Sequence, residues 1–283
     1  MQNTASYKCF LSFADSRMAY ARQRIEKQAE KMNLFDEIRV WDESNLDEEF
    51  KQKWKDVLRT DVRGFGYWVW KPYIILKTLE SMPEGGILLY LDVGCHLNPL
   101  ARKRLLKYFA TAYKDNLGVK AFPVNIWNKK KSLERNWTKG DTFDYFTCRE
   151  NDSITDTPQI EATHIIICKN NSSINFSREW YEICEKAFFL VNDSTSSSPN
   201  FPEFRENRHD QSIFSILFKL RNGICLPQGE TTPKILTNPI WASRDKWGEK
   251  PPVKQRIKNI LFYHAKYICF KLRTLVSRLI HFP

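Results

Sequence analysis

The sequence lacks the features that mark small metal-bound, secreted or membrane-spanning proteins. Its 7 cysteines are scattered and none forms a C-x-x-C pair, which gives no support to a zinc ribbon or a thioredoxin-type motif. The first residues contain no basic stretch followed by a long apolar run, so no secretory signal is predicted. No run of about 18 uncharged apolar residues occurs either. Together these absences predict a reduced, cytosolic protein.

Acidic residues are missing from the last part of the chain, which makes the charge distribution uneven. Residues 250–283 contain 8 lysines and arginines and no aspartate or glutamate. The other 249 residues contain 36 basic and 33 acidic side chains, so they are close to balanced. The net charge of +11 is therefore mostly a property of the C-terminal segment.

What the sequence has in quantity is apolar and aromatic residues. Apolar residues make up 42% of the 283, with 9 Trp and 19 Phe, which excludes a disordered chain. Short apolar segments alternate with helical patterns in the order β-α-β-α-α-β, which indicates an α/β domain with a mostly parallel central sheet flanked by helices. In this first part, strands are predicted at 7–14, 37–41 and 87–91, and helices at 16–35, 47–59 and 71–81.

The second half of the chain is less regular. Its apolar patterns predict further strands and helices, and a loop of small polar residues that we expect to be mobile. The strands are at 119–126 and 162–168, the helices at 100–113, 128–146, 176–190 and 210–220, and the loop at 192–200.

The stretch LLYLDVGCHLN, at 88–98, places an aspartate where an apolar strand ends. Ligands of open α/β sheets bind outside the carboxyl ends of the strands, so Asp92 is a candidate ligand for a divalent cation. Gly94 would let a large ligand approach the backbone. The alternative is that Asp92 only caps the turn that follows.

Two further stretches combine charged and aromatic residues. In RGFGYWVWKP, at 63–72, aromatic rings can stack on a base or a sugar, and Arg63 and Lys71 can neutralise a diphosphate. The alternative is that these rings only pack in the core. However, Tyr67, Trp68 and Trp70 point to alternating faces, so at least one ring should face a cleft. In ENRHDQSIFSIL, at 206–217, Asp210 begins an apolar helix as a helix cap, as a general base or as a carboxylate that orients the donor. There Arg208 or His209 could stabilise phosphate charge.

Four segments in this order resemble bacterial glycosyltransferase-like proteins of capsule, O-antigen and lipooligosaccharide gene sets. They are GFGYWVWKPYIIL, GGILLYLDVGCHLN, ATHIIICKN and NRHDQSIFSIL, and the stretch ERNWTKGDTF at 134–143 also fits. The resemblance extends from about residue 7 to about residue 226. It implies a GT-A-type domain that moves a sugar from a nucleotide-sugar to a glycan or lipid-linked glycan acceptor. The donor that it implies first is a UDP-sugar.

The same resemblance implies a D-x-D motif that holds Mn²⁺ or Mg²⁺ on the donor diphosphate. The matching residues are Asp92, Val93 and Gly94, so the second carboxylate is absent, and His96 stands where Glu is usual. Either His96 and a water complete the metal shell, or cations neutralise the diphosphate without a metal. The predicted sets are Asp210 and His209 as catalytic residues, Asp92 and His96 as metal ligands, and Arg63, Tyr67, Trp70, Lys71, Asp92, Gly94, Lys139 and Arg208 as donor-binding residues.

The basic C-terminal segment has apolar residues at helical spacing. We predict two units, a catalytic domain at 1–249 and a basic amphipathic helix at 250–283. Such a helix suits an anionic membrane surface, which would place the protein on the inner face of the cytoplasmic membrane. A docked terminal helix is the alternative, and no nucleic-acid partner is expected because the rest of the chain has no basic stripe. Two other function classes stay open, a non-catalytic carbohydrate-binding scaffold and a membrane adaptor.

Overall fold

The computed structural model describes residues 7–124, 131–246 and 248, and, near the C-terminus, 257–258, 260–265, 267–269 and 272. The strands and helices lie as follows. The strands are β1 (Lys8–Phe13), β2 (Glu37–Trp41), β3 (Ile87–Leu91), β4 (His96–Leu97), β5 (Val119–Lys120), β6 (His164–Cys168) and β7 (Ile240–Trp241). The helices are α1 (Ala19–Met32), α2 (Glu48–Lys53), α3 (Gly64–Tyr67), α4 (Trp70–Ser81), α5 (Arg102–Ala112), α6 (Gly140–Tyr145), α7 (Asp152–Thr155), α8 (Asn171–Lys186) and α9 (Asp210–Leu220).

A five-stranded sheet forms the centre of the domain, in the order β2-β1-β3-β6-β5. Strand β1 is parallel to both β2 and β3, whereas β6 is antiparallel to its neighbours β3 and β5. Four of the five strands therefore point the same way, which confirms the predicted mostly parallel sheet. The strands β2 and β3 have the predicted bounds: β3 (ILLYL) is an unbroken apolar run, and β2 (EIRVW) alternates charged and apolar side chains before Trp41.

Alternating side chains of the sheet supply two apolar cores, one on each face. In β3, Leu88 and Tyr90 join the core that includes α4, α8 and α9, while Leu89 and Leu91 join the core that includes α1 and α5. The molecule is thus a sheet covered by helices on both faces. Tyr90 faces the helix α4, and this orientation matters for the site described below.

Three predictions of secondary structure were too long. The polar helix expected at 128–146 is reduced to the short helix α6 and a single turn, because side chains such as Asn136 and Asp141 bond to the backbone of residues 197–203 and not within a helix. Only Val119–Lys120 of the strand expected at 119–126 pairs with β6, and residues 125–130 lie outside the described residues. The helix expected at 47–59 is limited to Glu48–Lys53.

The segment before α4 forms an unusual left-handed turn. Five consecutive residues, 64–68, have positive φ angles: 63°, 53°, 90°, 54° and 61°. Two of them are glycines, for which this conformation is easy, but Phe65, Tyr67 and Trp68 are not. Each non-glycine residue in this region costs about 1–2 kcal/mol. The surrounding core must therefore hold the turn in place, as it does by burying Phe65 against Phe13.

The predicted C-terminal helix is described only in part. Its described residues between 257 and 272 are helical, and several apolar side chains there are exposed, among them Ile257, Leu261 and Leu272. Most of its basic residues lie outside the described residues. In the part of the chain that the structure describes, no helix is both long and apolar enough to cross a bilayer.

Candidate active site

A cavity of about 500 Å³ opens at the carboxyl end of β3, beside the start of α4 and α9. It brings together the three sequence stretches that were singled out above. Its lining includes Phe13, Met18, Arg63, Trp68, Trp70, Lys71, Asp92, Val93, Gly94, Cys95, Trp137, Glu161, Thr163, Glu206, Arg208, His209, Asp210, Gln211, Ala242, Arg244 and Lys246. Residues from the two halves of the chain therefore meet around one hollow.

The centre of the cavity is a lysine between two carboxylates. Lys71 Nζ lies 3.1 Å from Asp92 Oδ1 and 3.2 Å from Asp210 Oδ2. The side chains of Lys71 and Asp210 are each 4% exposed, while that of Asp92 is 31% exposed. Asp92 therefore presents the carboxylate that a ligand reaches most easily, and Asp210 lies behind it.

The charges of this trio depend on burial and on their mutual attraction. Burial raises the pKa of Asp210 to about 7, although the Lys71 ammonium pulls it in the opposite direction. Burial also lowers the pKa of Lys71, but Asp210 and Asp92 outweigh this and the net pKa is raised. Lys71 consequently stays charged at neutral pH, whereas Asp210 changes its ionisation there.

The end of β3 fixes the position of Asp92. Its backbone N–H donates to Thr163 O at 2.8 Å, and its carbonyl accepts from Cys95 N at 2.9 Å, so the backbone makes the turn. The carboxylate does something else, since Oδ1 accepts a hydrogen bond from Tyr90 Oη at 2.7 Å and pairs with Lys71. Asp92 is therefore more than a cap for the turn.

A second part of the cavity is cationic. The Arg208 guanidinium lies 3.7 Å from the centre of the Trp137 ring, a cation–π contact. Burial, followed by the neighbouring Arg244, lowers the pKa of Arg208 to about 10. Within the described residues, no carboxylate forms an ion pair with Arg208, Arg244 or Lys246. These three cations leave room for an anionic ligand.

The segment that carries Arg244 packs directly against the end of β3. A Cβ atom on Gly94 would lie 3.2 Å from Arg244 Cα, and Asp245 N donates to Gly94 O at 2.9 Å. Arg24 holds the two segments together, because its guanidinium donates to the carbonyls of Val93, Cys95 and Asp245. Gly94 thus admits a neighbouring segment of its own chain, and because it also lines the cavity, its approach to a ligand stays a prediction.

His209 lies at the cavity wall in a strained backbone conformation, with φ of 54° and ψ of −127°. Its Nδ1 is 2.6 Å from Val191 O, which makes Nδ1 the donor. Its buried Nε2 has no hydrogen-bond partner in the described structure, and Asp193 Oδ1 is 3.7 Å away. Burial lowers the pKa of His209, so the ring is neutral near pH 7 and Nε2 is an acceptor.

Three residues of the predicted sets lie outside the cavity lining. His96 Nε2 is 2.9 Å from Asp245 Oδ2 and its Nδ1 is 3.1 Å from Gln28 Nε2, so both ring nitrogens are engaged away from Asp92. Tyr67 packs its ring beside His209 and Phe188. We correct the assignment of His96 as a metal ligand beside Asp92, while the donor-binding role of Tyr67 stays a prediction that the cavity lining does not support.

Lys139 is the third residue outside the cavity. Its buried Nζ donates to Phe189 O and lies 3.4 Å from both Asn192 O and Ser194 O. The neighbouring Asp141 carboxylate accepts from the backbone N–H groups of Ser197 and Ser198. Lys139 therefore positions the loop at 192–200, which was expected to be mobile, and its prediction as a donor-binding residue is corrected.

Two members of the donor-binding set line the cavity in roles that differ from the prediction. Trp70 stacks on Phe13 with ring centres 4.0 Å apart, and its indole N–H donates to Gly64 O, so it is mostly a core residue. Arg63 is already paired, at 3.2 Å with Glu206 and 3.8 Å with Asp193. Neither offers a free charge or a free ring face.

The described residues do not fit a protein-held metal ion. Asp92 Oδ1 already accepts from Tyr90 and Lys71, and Asp210 faces the same ammonium. The other two acids of the lining are also engaged, Glu206 with Arg63 and Glu161 at 2.8 Å from His164 Nε2. No group of three His, Cys, Asp or Glu side chains with metal-ligand geometry occurs among the described residues. The position between the two carboxylates is filled by a lysine.

Sequence reasoning missed several residues of the cavity. Trp137 lies in the ERNWTKGDTF stretch, which was noted without a role for its aromatic side chain. Arg244 and Lys246 lie in a segment with no motif, and the pairing of β7 with β4 and the contacts of Asp245 with Gly94 and Arg24 bring that segment to the site. The closely spaced cations Arg244 and Lys246 were the one feature of the sequence that could have indicated a role in this segment.

Comparisons with known proteins give structural matches only. No family model matches the chain, and no curated protein matches it. Similar solved structures include a glycosyltransferase involved in glycosylation of the major capsid of PBCV-1, with a TM-score of 0.49 and 11% identity over 92% of this chain and 99% of that one. Mouse xyloside xylosyltransferase 1 has a TM-score of 0.43 and 9% identity, over 78% of this chain and 84% of that one.

A third similar structure is the galactosyltransferase LgtC in complex with donor and acceptor sugar analogs. Its TM-score is 0.39, with 16% identity over 87% of this chain and 84% of that one. All three proteins are glycosyltransferases. At such low identities and TM-scores, what this chain does has to be argued from its own cavity.

Proposed function

We propose that this protein is a glycosyltransferase that moves a sugar from a nucleotide-sugar to a hydroxyl group of a glycan or lipid-linked glycan. The observation that carries the proposal is the cavity itself, in which the Asp92–Lys71–Asp210 trio and three cations without a carboxylate partner among the described residues share one hollow of about 500 Å³. A strongly perturbed carboxyl pKa in a cavity at the end of a sheet is typical of a catalytic site.

The three unpaired cations suit the diphosphate of the donor. Sugar transfer breaks the bond between the anomeric carbon and a diphosphate oxygen, so negative charge grows on the leaving nucleoside diphosphate. Preorganised cations in a site of low dielectric stabilise such charge. We assign this role to Arg208, Arg244 and Lys246, which follows the metal-free alternative and not the metal-bound one.

The two carboxylates have different exposures and therefore different roles. As the new bond forms between the anomeric carbon and the acceptor oxygen, the acceptor hydroxyl loses a proton. Asp210, with its pKa raised to about 7, is matched to receive that proton at neutral pH. The more exposed Asp92 then contacts the hydroxyl groups of the donor, while Lys71 keeps both carboxylates in place.

The C-terminal helix extends the proposal to the membrane. The acceptors of bacterial surface polysaccharide synthesis that carry lipids lie at the inner membrane, and a basic helix with exposed apolar side chains suits that surface. Co-sedimentation with vesicles containing anionic lipid tests this part. The full chain should bind and a chain without residues 250–283 should not.

Transfer assays test the enzyme proposal directly. Purified protein is incubated with UDP-, GDP- and CMP-sugars, starting with UDP-sugars, and with soluble glycan acceptors. The proposal expects turnover by the wild type and its loss in Asp210→Asn. A chain that binds glycans equally well with both carboxylates replaced, and turns over no donor, would be a carbohydrate-binding scaffold. Activity that survives deletion of 250–283 on a soluble acceptor separates the enzyme from a membrane adaptor.

A further inference from the structure

The left-handed turn at 64–68 places one aromatic ring at the cavity wall. The proposed sugar transfer gives this ring no role. Trp68, the last residue of the turn, is half-buried and lines the cavity. An added Cβ on Gly64 would lie 2.3 to 2.6 Å from three atoms of the Trp68 ring, so one face of the indole rests on the Gly64 backbone. The glycine is thus required for the position of the ring.

The other aromatic rings of the cavity are occupied. Trp70 is stacked on Phe13, and the Trp137 ring is covered by the Arg208 guanidinium at 3.7 Å. The Trp70 indole N–H donates to Gly64 O, and that of Trp137 donates to Lys131 O. Within the described residues, by contrast, the indole N–H of Trp68 makes no hydrogen bond. Trp68 therefore combines a ring that lines the cavity with an indole N–H that has no partner among the described residues.

A buried acceptor lies next to this ring. The ring centres of Trp68 and His209 are 5.1 Å apart with the planes tilted by 40°, and His209 Nε2 is buried without a hydrogen-bond partner. Because Nδ1 is directed at Val191 O, Nε2 has a lone pair to offer a hydroxyl group. A flat apolar face, a donor and an acceptor together match the pattern of C–H groups and hydroxyls on a pyranose ring.

We propose that Trp68 and His209 form a sugar-binding subsite for the acceptor, with the left-handed turn holding the Trp68 ring ready for stacking. This inference rests on the proposed function. The strained backbone at both residues is consistent with such a role, since strain is kept where a site needs a side chain in one orientation.

The acceptor, and not the donor, is the better match for this subsite. Within the described residues no cation lies over the Trp68 ring, since Arg63 is paired with Glu206 and Asp193 and the Arg208 guanidinium lies over the Trp137 ring. The subsite is also close to the proposed base through both of the segments that form it. Asp210 directly follows His209, and Lys71 N–H donates to Trp68 O. A sugar stacked on Trp68 would have its hydroxyl groups close to Asp210.

The test measures binding of sugars and of nucleotides separately. Methyl β-glycosides of glucose, galactose, N-acetylglucosamine and N-acetylgalactosamine are titrated by saturation-transfer NMR, and UDP, GDP and CMP by calorimetry. The variants are Trp68→Leu, which removes the aromatic face, and Trp68→Phe, which keeps a face but loses the donor. Trp41→Leu, on the edge strand β2 and outside the cavity, is the matched control.

We expect at least one glycoside to bind the wild type, with about tenfold weaker binding to Trp68→Leu and a smaller loss in Trp68→Phe. Nucleotide binding should be unchanged in both, and Trp41→Leu should behave as the wild type. The subsite is refuted if Trp68→Leu binds glycosides normally, if no glycoside binds the wild type, or if Trp68→Leu loses nucleotide affinity, in which case the ring stacks on the base.

Failure of the proposed function has a different signature. If the wild type binds a glycoside through Trp68 but no nucleotide and turns over no nucleotide-sugar, the enzyme proposal falls and the sugar subsite stands. Circular dichroism and thermal melting of each variant show whether the fold is retained. Trp68→Phe keeps the test decisive if Trp68→Leu does not fold.

Discussion

Lys71 Nζ lies 3.2 Å from Asp210 Oδ2, and both side chains are almost completely buried. Lys71 comes from the first turn of α4 and Asp210 from the first residue of α9, so the pair joins the two halves of the domain. Removing one member of a buried ion pair leaves a charge without compensation, and this is more costly than removing a surface pair. The pair therefore links the stability of the fold to the chemistry of the cavity.

Replacing Lys71 with Met tests that link. We expect the free energy of unfolding to fall by about 3–5 kcal/mol, because Asp92 and Asp210 lose their shared cation. Lys77→Met on the same helix is the control, since Lys77 is half exposed and pairs with Asp47 at the surface. Its effect should stay below about 1 kcal/mol. Urea denaturation measures both, and equal effects would contradict a buried, compensating role for Lys71.

The rate of sugar transfer should depend on pH through Asp210. A base has to be ionised, and burial raises the pKa of Asp210 to about 7. We therefore expect kcat/KM to rise as pH increases toward neutrality and to level off above about pH 7. Asp210→Asn should lack this rise and retain little activity. A wild-type profile that is flat between pH 5 and 8 would exclude Asp210 as the base.

Stability should respond to pH in the opposite direction. Because the folded pKa of Asp210 is raised from 3.8 to about 7, the folded state binds more protons than the unfolded state between these values. The contribution of Asp210 to stability is therefore fully present below about pH 4 and is lost as pH rises to about 7. The difference in unfolding free energy between the wild type and Asp210→Asn, measured at several pH values, isolates it. The unfolding free energy of the wild type minus that of Asp210→Asn should fall between about pH 4 and about pH 7, and a rise would contradict the raised pKa.

Two arginines near the same tryptophan provide a matched test of the cationic part of the cavity. Arg208 contacts the Trp137 ring at 3.7 Å inside the cavity, while Arg205 lies 5.7 Å from the same ring and is exposed outside it. Arg208→Ala should weaken nucleoside diphosphate binding by about 10- to 100-fold, the equivalent of a charge-assisted hydrogen bond. Arg205→Ala should change it less than about twofold. Calorimetry with UDP and GDP distinguishes them, and equal losses would remove the assignment.

Chelation tests how the diphosphate charge is neutralised. Since Lys71 fills the position between the two carboxylates and His96 is bonded to Asp245 and Gln28, we expect transfer to continue in excess EDTA. His96→Ala should likewise leave nucleotide binding unchanged. A loss of activity in EDTA that Mn²⁺ or Mg²⁺ restores would show that the metal-bound alternative is correct.

Local sequence patterns were sufficient to predict much of the fold. The strand at 87–91 and the helix at 210–220 have the predicted bounds, because an unbroken apolar run or a strong helical period leaves few alternatives. The same patterns placed Asp92 and Asp210 at element ends, where polar side chains can face a cavity. They failed at 128–146, where polar residues bond to distant loops and local propensity decides little.

Only the tertiary structure decided which of the candidate residues work together. Lys71, Asp92 and Asp210 meet because strand β3 ends, and helices α4 and α9 begin, at one edge of the sheet. The pKa values of Lys71 and Asp210 depend on burial that no local pattern encodes. Lys139 and His96 have the chemistry that the site needs, yet packing directs them to a loop and to Asp245. The sequence by itself determined the elements and the types of residue available, whereas distances and desolvation, which set the chemistry, came from folding.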